Sequence, residues 1–302
     1  MIETSVVIPT YHRPVLLARA VDSVLAQQGD VGNFEIVVVD NDAAGSAEAA
    51  VAAMAQASRV PIRYVRECRP GISHARNTGV VAATGRYLAF LDDDEAASPG
   101  WLAGCLATIR ASGAAAVVGP IRPLFPEDAD VNPYCRKVYT RDANVPTGTL
   151  LAKWTAIGNT LLDKARCFTS DEPFDPRLGL SGGEDTVFLR RLMRGGGTVA
   201  WCAEAVVNEV IPIAKLAPNY LLRRAFRGGQ TTTFVCVEVT PSEWGQAAFW
   251  MAVGGAQVVL YTPVALLFRA LKRERWLSLM VKAVGGLGKV CWHPNIHLKL
   301  YH

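Results

Sequence analysis

The chain has 302 residues, half of them hydrophobic and 19% charged, which excludes a disordered polymer and provides for a large core without disulfide or metal staples. Its net charge of +4 is too small to indicate nucleic acid as a partner, and none is expected. The charge is uneven: residues 1–214 hold 20 basic and 24 acidic side chains, whereas from Lys215 onward 11 Lys+Arg stand against 3 Asp+Glu, in a chain of mean hydropathy +0.19. An acidic soluble part (1–214) and a basic, apolar helical part facing anionic lipid (215–302) are therefore expected.

Ser5-Val6-Val7-Ile8-Pro9 opens the chain as a short buried strand stopped by proline. Pro14 then starts a helix to Gln28, with Leu16, Leu17, Ala20, Val21, Val24 and Leu25 at helical spacing. The alternation continues with a strand at Phe34–Val39, a helix at Ser46–Ala57, a strand at Ile62–Val65 and a helix near Ile72–Ala83. It closes with a strand at Tyr87–Leu91, a helix at Trp101–Ala111 and a strand at Ala115–Val118. Nearly all-apolar strands alternating with helices predict an α/β fold, a parallel sheet covered on both faces. Pro120 to Gly148 reads as a long surface loop, and Glu184 to Arg194 as a helix. The seven cysteines are scattered with no C-x-x-C pair and read as buried cytosolic thiols. No secretory signal is visible at Met1–Thr4, which places the active part in the cytoplasm.

Ligands of such sheets bind beyond the carboxyl ends of the strands. Acids fall there: Asp40 after the second strand, and Asp92, Asp93, Asp94 and Glu95 after the fourth. Four consecutive acids repel one another, and a divalent cation explains them, because hard Mg²⁺ or Mn²⁺ prefers carboxylate oxygens shared with substrate phosphates. Asp92 and Asp94 lie on one side of an extended chain and can address one metal. In Ser181-Gly182-Gly183-Glu184-Asp185, Ser181 and Glu184 have capping-box spacing. That leaves the two glycines and Asp185 unexplained, and a carboxylate here can serve as a general base.

Taken together, Val6-Val7-Ile8-Pro9-Thr10-Tyr11, Glu35 to Asn41, Ala75-Arg76-Asn77, Phe90 to Asp94 and Gly183-Glu184-Asp185 resemble the successive motifs of family 2 glycosyltransferases over about residues 1 to 210. The resemblance implies the GT-A fold, a Rossmann-like mostly parallel sheet, and inversion at the anomeric carbon. It implies that Pro9, Thr10 and Tyr11 border the nucleotide base and that Asp40 accepts a hydrogen bond from it. Arg76 would help hold the donor diphosphate. Asp92 and Asp94 match the Asp-x-Asp motif for ribose and the bridging cation, with Asp93 between them able to carry either contact. Asp185 would deprotonate the acceptor, with Glu184 orienting it or acting in its place. No Q-x-x-R-W motif is present, which argues for one sugar added per encounter. The tail resembles bacterial exopolysaccharide enzymes. The implied partners are a nucleotide-sugar donor, a UDP-sugar being the expectation, a lipid-linked or glycan acceptor, and the cytoplasmic face of the bacterial inner membrane. A metal-dependent nucleotidyltransferase and a non-catalytic nucleotide-sugar-binding protein are the alternatives.

Gln246 to Phe268 is uncharged over 23 residues, long enough to cross a bilayer, and Arg269, Lys272, Arg273 and Arg275 follow at once. Basic flanks on both sides favour a broken or re-entrant hairpin, or an amphipathic pair in the inner leaflet, over a single crossing. Gly285-Gly286-Leu287-Gly288-Lys289 fails the P-loop template, and His293 with His297 lacks a third metal ligand.

Overall fold

The β-branched runs assemble as a sheet in which the first strand of the chain lies inside, flanked on both sides by parallel neighbours. The computed structural model describes residues 1–239 and 242–293. Strands β1 (Thr4–Thr10), β2 (Phe34–Asp40), β3 (Ile62–Arg66) and β4 (Tyr87–Phe90) alternate with helices α1 (Pro14–Leu25), α2 (Glu48–Ala57) and α3 (Ile72–Ala82). After β4 come β5 (Glu95–Ala97), α4 (Trp101–Ser112), β6 (Ala116–Val118), β7 (Ile121–Leu124), α5 (Pro133–Tyr139), β8 (Thr160–Asp163) and α6 (Lys164–Cys167). Then follow α7 (Glu184–Arg194), β9 (Val199–Trp201), β10 (Val207–Val210), α8 (Pro218–Glu238), α9 (Trp244–Ala270) and α10 (Trp276–Val290).

The seven-stranded sheet has the order β3-β2-β1-β4-β8-β6-β9. It is parallel except for β8, which runs antiparallel to both β4 and β6. A smaller sheet, β5-β10-β7, lies at the carboxyl edge of β4 through its strand β5. Val6, Ile8, Val38 and Ala89 point to one face and Val7, Val37, Val39 and Phe90 to the other, each set packed into its own core. That alternation is the two-residue period of a strand covered on both sides. Leu17, Ala20, Val21 and Val24 are the buried stripe of α1, as their spacing predicts.

The interval 120–148 is not a structureless loop. It contains β7, which owes its existence to parallel pairing with β10, and α5. Pro123 inside β7 hides the strand from a sequence reading because proline cannot donate to a ladder. Asn159, fully buried with φ 57°, accepts from the Trp101 indole at 2.7 Å and donates to the carbonyls of Pro120 and Ala205. One side chain thereby ties α4, β7 and the segment before β10 to the start of β8.

The chain divides into two compact units that are not consecutive in sequence. The first comprises Met1–Leu124, Tyr139–Gly179 and Phe188–Val210; the second comprises Phe125–Val138, Leu180–Val187 and the remainder from Ile211. Within the second, α9 and α10 form an antiparallel hairpin: Gly254 meets Gly286, Lys289 Nζ donates to Gln257 Oε1 at 2.7 Å, and Arg269 lies over Trp276. The expected break inside 246–268 does not occur. α9 runs unbroken through Pro263, and the chain turns at the basic cluster after Ala270. Gly286 and Gly288 are explained by packing, not phosphate: a Cβ on Gly286 would lie 2.6 Å from the Gly254 carbonyl oxygen, and one on Gly288 would meet that of Phe226. Small residues allow such close helix contact. Among the described residues α9 is the one helix long and apolar enough to cross a membrane, with a mean hydropathy of 1.7 and only 11% of its most apolar window buried. His297 lies outside the described residues.

All seven cysteines are unbridged. Cys105, Cys135, Cys167, Cys202 and Cys236 are buried, Cys291 is partly covered and Cys68 is exposed.

Candidate active site

The carboxyl ends of β1, β2 and β4 are brought together by register. Thr10 stands opposite Asp40, and pairing of Val7 with Phe90 carries the residues after β4 alongside the end of β1. Thr10 Oγ1 accordingly donates to Asp93 Oδ2 at 2.9 Å. Arg13, just before α1, donates from one nitrogen to Asp93 Oδ1 at 3.0 Å and Asp94 Oδ2 at 3.3 Å. Sequence reasoning missed Arg13. The signal was available: four adjacent acids call for a counter-cation, and Arg13 is the first arginine after β1.

Arg76 is buried on α3 and reaches Asp92 Oδ1 at 3.2 Å. Its neighbours Ser73 and Asn77 fasten the segment 174–175: Ser73 Oγ donates to the Asp175 carbonyl, while Asn77 exchanges hydrogen bonds with both backbone groups of Phe174. The Ala75-Arg76-Asn77 run thus turns one residue toward the acids and one toward the scaffold. Among the three aspartates, Asp92 is the most open, with its side chain 33% exposed against 8% for Asp93 and 10% for Asp94. Burial pushes the Asp93 carboxyl up to about 6, against the pull of Arg13. Glu95 is more deeply enclosed and pairs across the strand with Glu209; burial first, then Asp92 and Glu209, push its carboxyl well above the usual range. Gly158 gives Asp92 and Glu95 their room: a Cβ there would lie 3.0 Å from Asp92 Oδ2 and 2.9 Å from Glu95 Oε1.

Asp40 is fully buried. Its oxygens accept from the Asp42 and Ala47 amides at 3.1 and 2.8 Å and from the Tyr64 hydroxyl at 3.1 Å, so it shapes the turn after β2. Burial and Asp40 together push that hydroxyl up to about 12. Pro9 is buried within β1, whereas Tyr11 is 44% exposed and meets His12 edge-on. The far wall is set by Glu67, which accepts from Thr78 Oγ1 at 2.6 Å and from the Arg69 side chain at 2.8 and 3.0 Å, while Asn41 binds the carbonyls of Glu67 and Arg69. The Arg69 bonds are the main reason the Glu67 carboxyl falls from 4.5 to about 2. A depressed carboxyl stabilises the fold fully above its unfolded value and loses that contribution as the pH falls through its folded value. Glu67→Gln is therefore expected to cost about 1–2 kcal/mol at pH 7, the pair being screened through exposed Arg69, and nothing near pH 2. Urea melts of both proteins between pH 7 and pH 2 check this; a constant difference across the range would refute it.

Among the described residues no three of His, Cys, Asp or Glu converge on a ready metal centre. The oxygens present still fit a hard cation of the Mg²⁺ or Mn²⁺ kind, which is held by one or two carboxylates and completed by substrate phosphates and water. Asp92, open on one side, and Asp94 are the residues that could supply that partial set.

In the second unit, Glu184 and Asp185 occupy the first turn of α7, where a helix N-terminus favours negative charge. Glu184 is 4% exposed and Asp185 only partly covered. Gly182 and Gly183, with φ of 81° and 96°, make the turn into the helix.

The family model Glycosyl transferase family 2 matches residues 5–157, half the chain. The chain belongs to glycosyltransferase family 2. This glycosyltransferase is 37% identical over 226 residues to the succinoglycan biosynthesis protein ExoM of Rhizobium meliloti, covering 74% of this chain and 71% of that protein. It is 30% identical to the glycosyltransferase AglE of Haloferax volcanii, over 83% of this chain and 80% of that one. Among solved structures it resembles S. aureus TarS 1–349 in complex with UDP-GlcNAc, with a TM-score of 0.54 and 14% identity over 82% and 70% of the two chains. GalNAc-T7 with UDP, GalNAc and Mn²⁺ aligns with a TM-score of 0.55 at 17% identity, over 77% and 51%. The fold of this family 2 enzyme is GT-A, as its motifs imply. The nucleotidyltransferase and non-catalytic alternatives are set aside by the family.

Proposed function

We propose that this glycosyltransferase transfers a single sugar, with inversion, from a UDP-sugar to a lipid-linked or polysaccharide acceptor in exopolysaccharide assembly at the cytoplasmic face of a bacterial inner membrane. The observation that carries the reading is the joining of Thr10, Arg13, Arg76 and Asp92–Asp94 at the strand ends, where ligands of open α/β sheets bind. The naming of ExoM for succinoglycan biosynthesis and of TarS with UDP-GlcNAc supports the acceptor class and the donor.

In this reading Tyr11 and the turn shaped by Asp40 border the base, with Thr10 and Pro9 fixing the strand beneath. Asp92 and Asp94 would hold a divalent cation, which would supply positive charge against the leaving diphosphate. Arg76, reaching Asp92, orients that carboxylate and the diphosphate. Asp185, the more accessible of the two acids on α7, takes the proton of the acceptor hydroxyl, and Glu184 orients it. Residues 215–302 are the membrane-associated region: α9 offers apolar side chains on most of its surface, and Arg269, Lys272, Arg273 and Arg275 at its end suit anionic headgroups. Holding the enzyme at the bilayer raises the effective concentration of a lipid-linked acceptor.

The test is a donor screen with the full chain in anionic vesicles, Mn²⁺, and a lipid extract from an exopolysaccharide-producing bacterium. Transfer of sugar into the organic phase with release of UDP is expected. Turnover with GDP-sugars alone would overturn the donor, and transfer to soluble polymer independent of vesicles would overturn the membrane site.

A further inference from the structure

Arg227, on α8, is 3% exposed, and its guanidinium donates hydrogen bonds to the loop before α7. Nε donates to the Ser181 carbonyl at 2.5 Å, and one terminal nitrogen donates to Ser181 Oγ at 3.1 Å and to the Gly182 carbonyl. One helical turn on, Thr231 closes the same contact: a Cβ on Gly183 would lie 2.7 Å from Thr231 Oγ1. Burying a guanidinium is costly unless its donors are used, and here they are used on Ser181 and Gly182, where the positive-φ turn into Glu184 and Asp185 begins. Two successive residues in the left-handed region, Gly182 and Gly183, have no side chain of their own to hold them there. The fork of Arg227 supplies that hold from outside.

The rest of the inward surface of α8 is tied to α10. Gln230 Nε2 donates to the Cys291 carbonyl at 2.8 Å, Thr233 Oγ1 to that of Lys289 at 2.9 Å, and Gly229 lies against the Gly285 carbonyl. Arg227 and Thr231 share one face by their spacing of four, Gly229 and Thr233 share another by the same spacing, and Gln230 lies between the two. All of these residues belong to the second unit.

We propose that Arg227 is a positioning residue that fixes the Ser181–Asp185 loop on α8, so that the acceptor-activating carboxylates are carried by the same helical body as the apolar α9–α10 hairpin. The proposal rests on the reading of Asp185 as general base. It gives the helical region a part in the chemistry besides anchorage: whatever seats α9 and α10 against lipid also seats the base loop, through α8.

The experiment compares full-length parent, Arg227→Met, Arg227→Lys and Asp185→Asn in anionic nanodiscs. Three quantities are read: amide hydrogen exchange over 181–187, affinity for UDP with Mn²⁺, and total UDP released from a mixture of UDP-hexoses with lipid extract. For Arg227→Met, exchange in the loop should rise about tenfold and UDP release fall about 100-fold, the scale of a 1 Å misplacement, while UDP affinity stays at the parent value. Arg227→Lys, which keeps the charge and can reach one carbonyl, should lie between the two and retains the fold if the methionine variant loses it. Unchanged loop exchange in both variants, or faster exchange with parental turnover, would overturn the proposal. A fall in UDP affinity in step with turnover would also overturn it, because Arg227 would then act on the donor. Parental turnover in Asp185→Asn is a separate failure, that of the base assignment, and leaves the exchange measurement to decide the clamp.

Discussion

Replacing Asp185 by asparagine is expected to leave UDP bound as tightly as in the parent and to slow sugar transfer by about 10²–10⁴-fold. The amide keeps the size of the side chain and can still accept a hydrogen bond, but it cannot take the acceptor's proton. Asp185 is the more accessible of the two acids at the start of α7. Glu184→Gln supplies the comparison. Being 4% exposed, Glu184 should act through Asp185, and its loss should cost less. Single-turnover rates with saturating donor, paired with calorimetric UDP binding, separate the two effects. A larger kinetic loss at Glu184 than at Asp185 would reverse the roles, and parental rates in both would remove this turn from the chemistry.

For Asp94→Asn the expected loss is in binding: cation-dependent UDP affinity should fall about 10–100-fold, with Asp92→Asn similar. Each change exchanges a charged oxygen for a neutral one in a site that offers the cation few protein ligands. Asp94 is also bridged to Arg13, so its neutralisation removes one of the two ion pairs of Arg13. The diagnostic is a titration of UDP at several Mn²⁺ concentrations. Parental binding in both variants, at every Mn²⁺ level, would mean that the acids after β4 serve the fold only. Circular dichroism melts should show both variants folded, because neither Asp92 nor Asp94 is part of a regular strand or helix.

The first half of the fold was legible because β1 to β4 and their helices announce themselves locally. Val6 to Ile8 and Ile36 to Val39 are continuous β-branched runs, and Pro14 marks the start of α1. Legibility failed where tertiary pairing makes the element. Thr160–Asp163 is four residues long and becomes β8 only between β4 and β6; β7 exists through β10. The acids of the site were visible as a run, but their partners were not, since Arg13 and Arg76 meet them from 80 and 16 residues away. Asp40 was visible as a strand-end acid, whereas its enclosure by Ala47 and Tyr64 depends on how the next helix and strand return. Arg227 gave no sequence signal, standing among other arginines of α8 whose faces only the folded helix distinguishes.

The uneven covering of the thiols has a practical consequence. Cys68 stands exposed between Glu67 and Arg69, just beyond the carboxyl end of β3, while five other cysteines are enclosed. A maleimide dye should therefore settle on Cys68 in the unaltered chain, with partly covered Cys291 the slower competitor. That places a fluorescent reporter on the rim where nucleotides enter α/β sheets, so that arrival and departure of the donor can be followed in real time by emission.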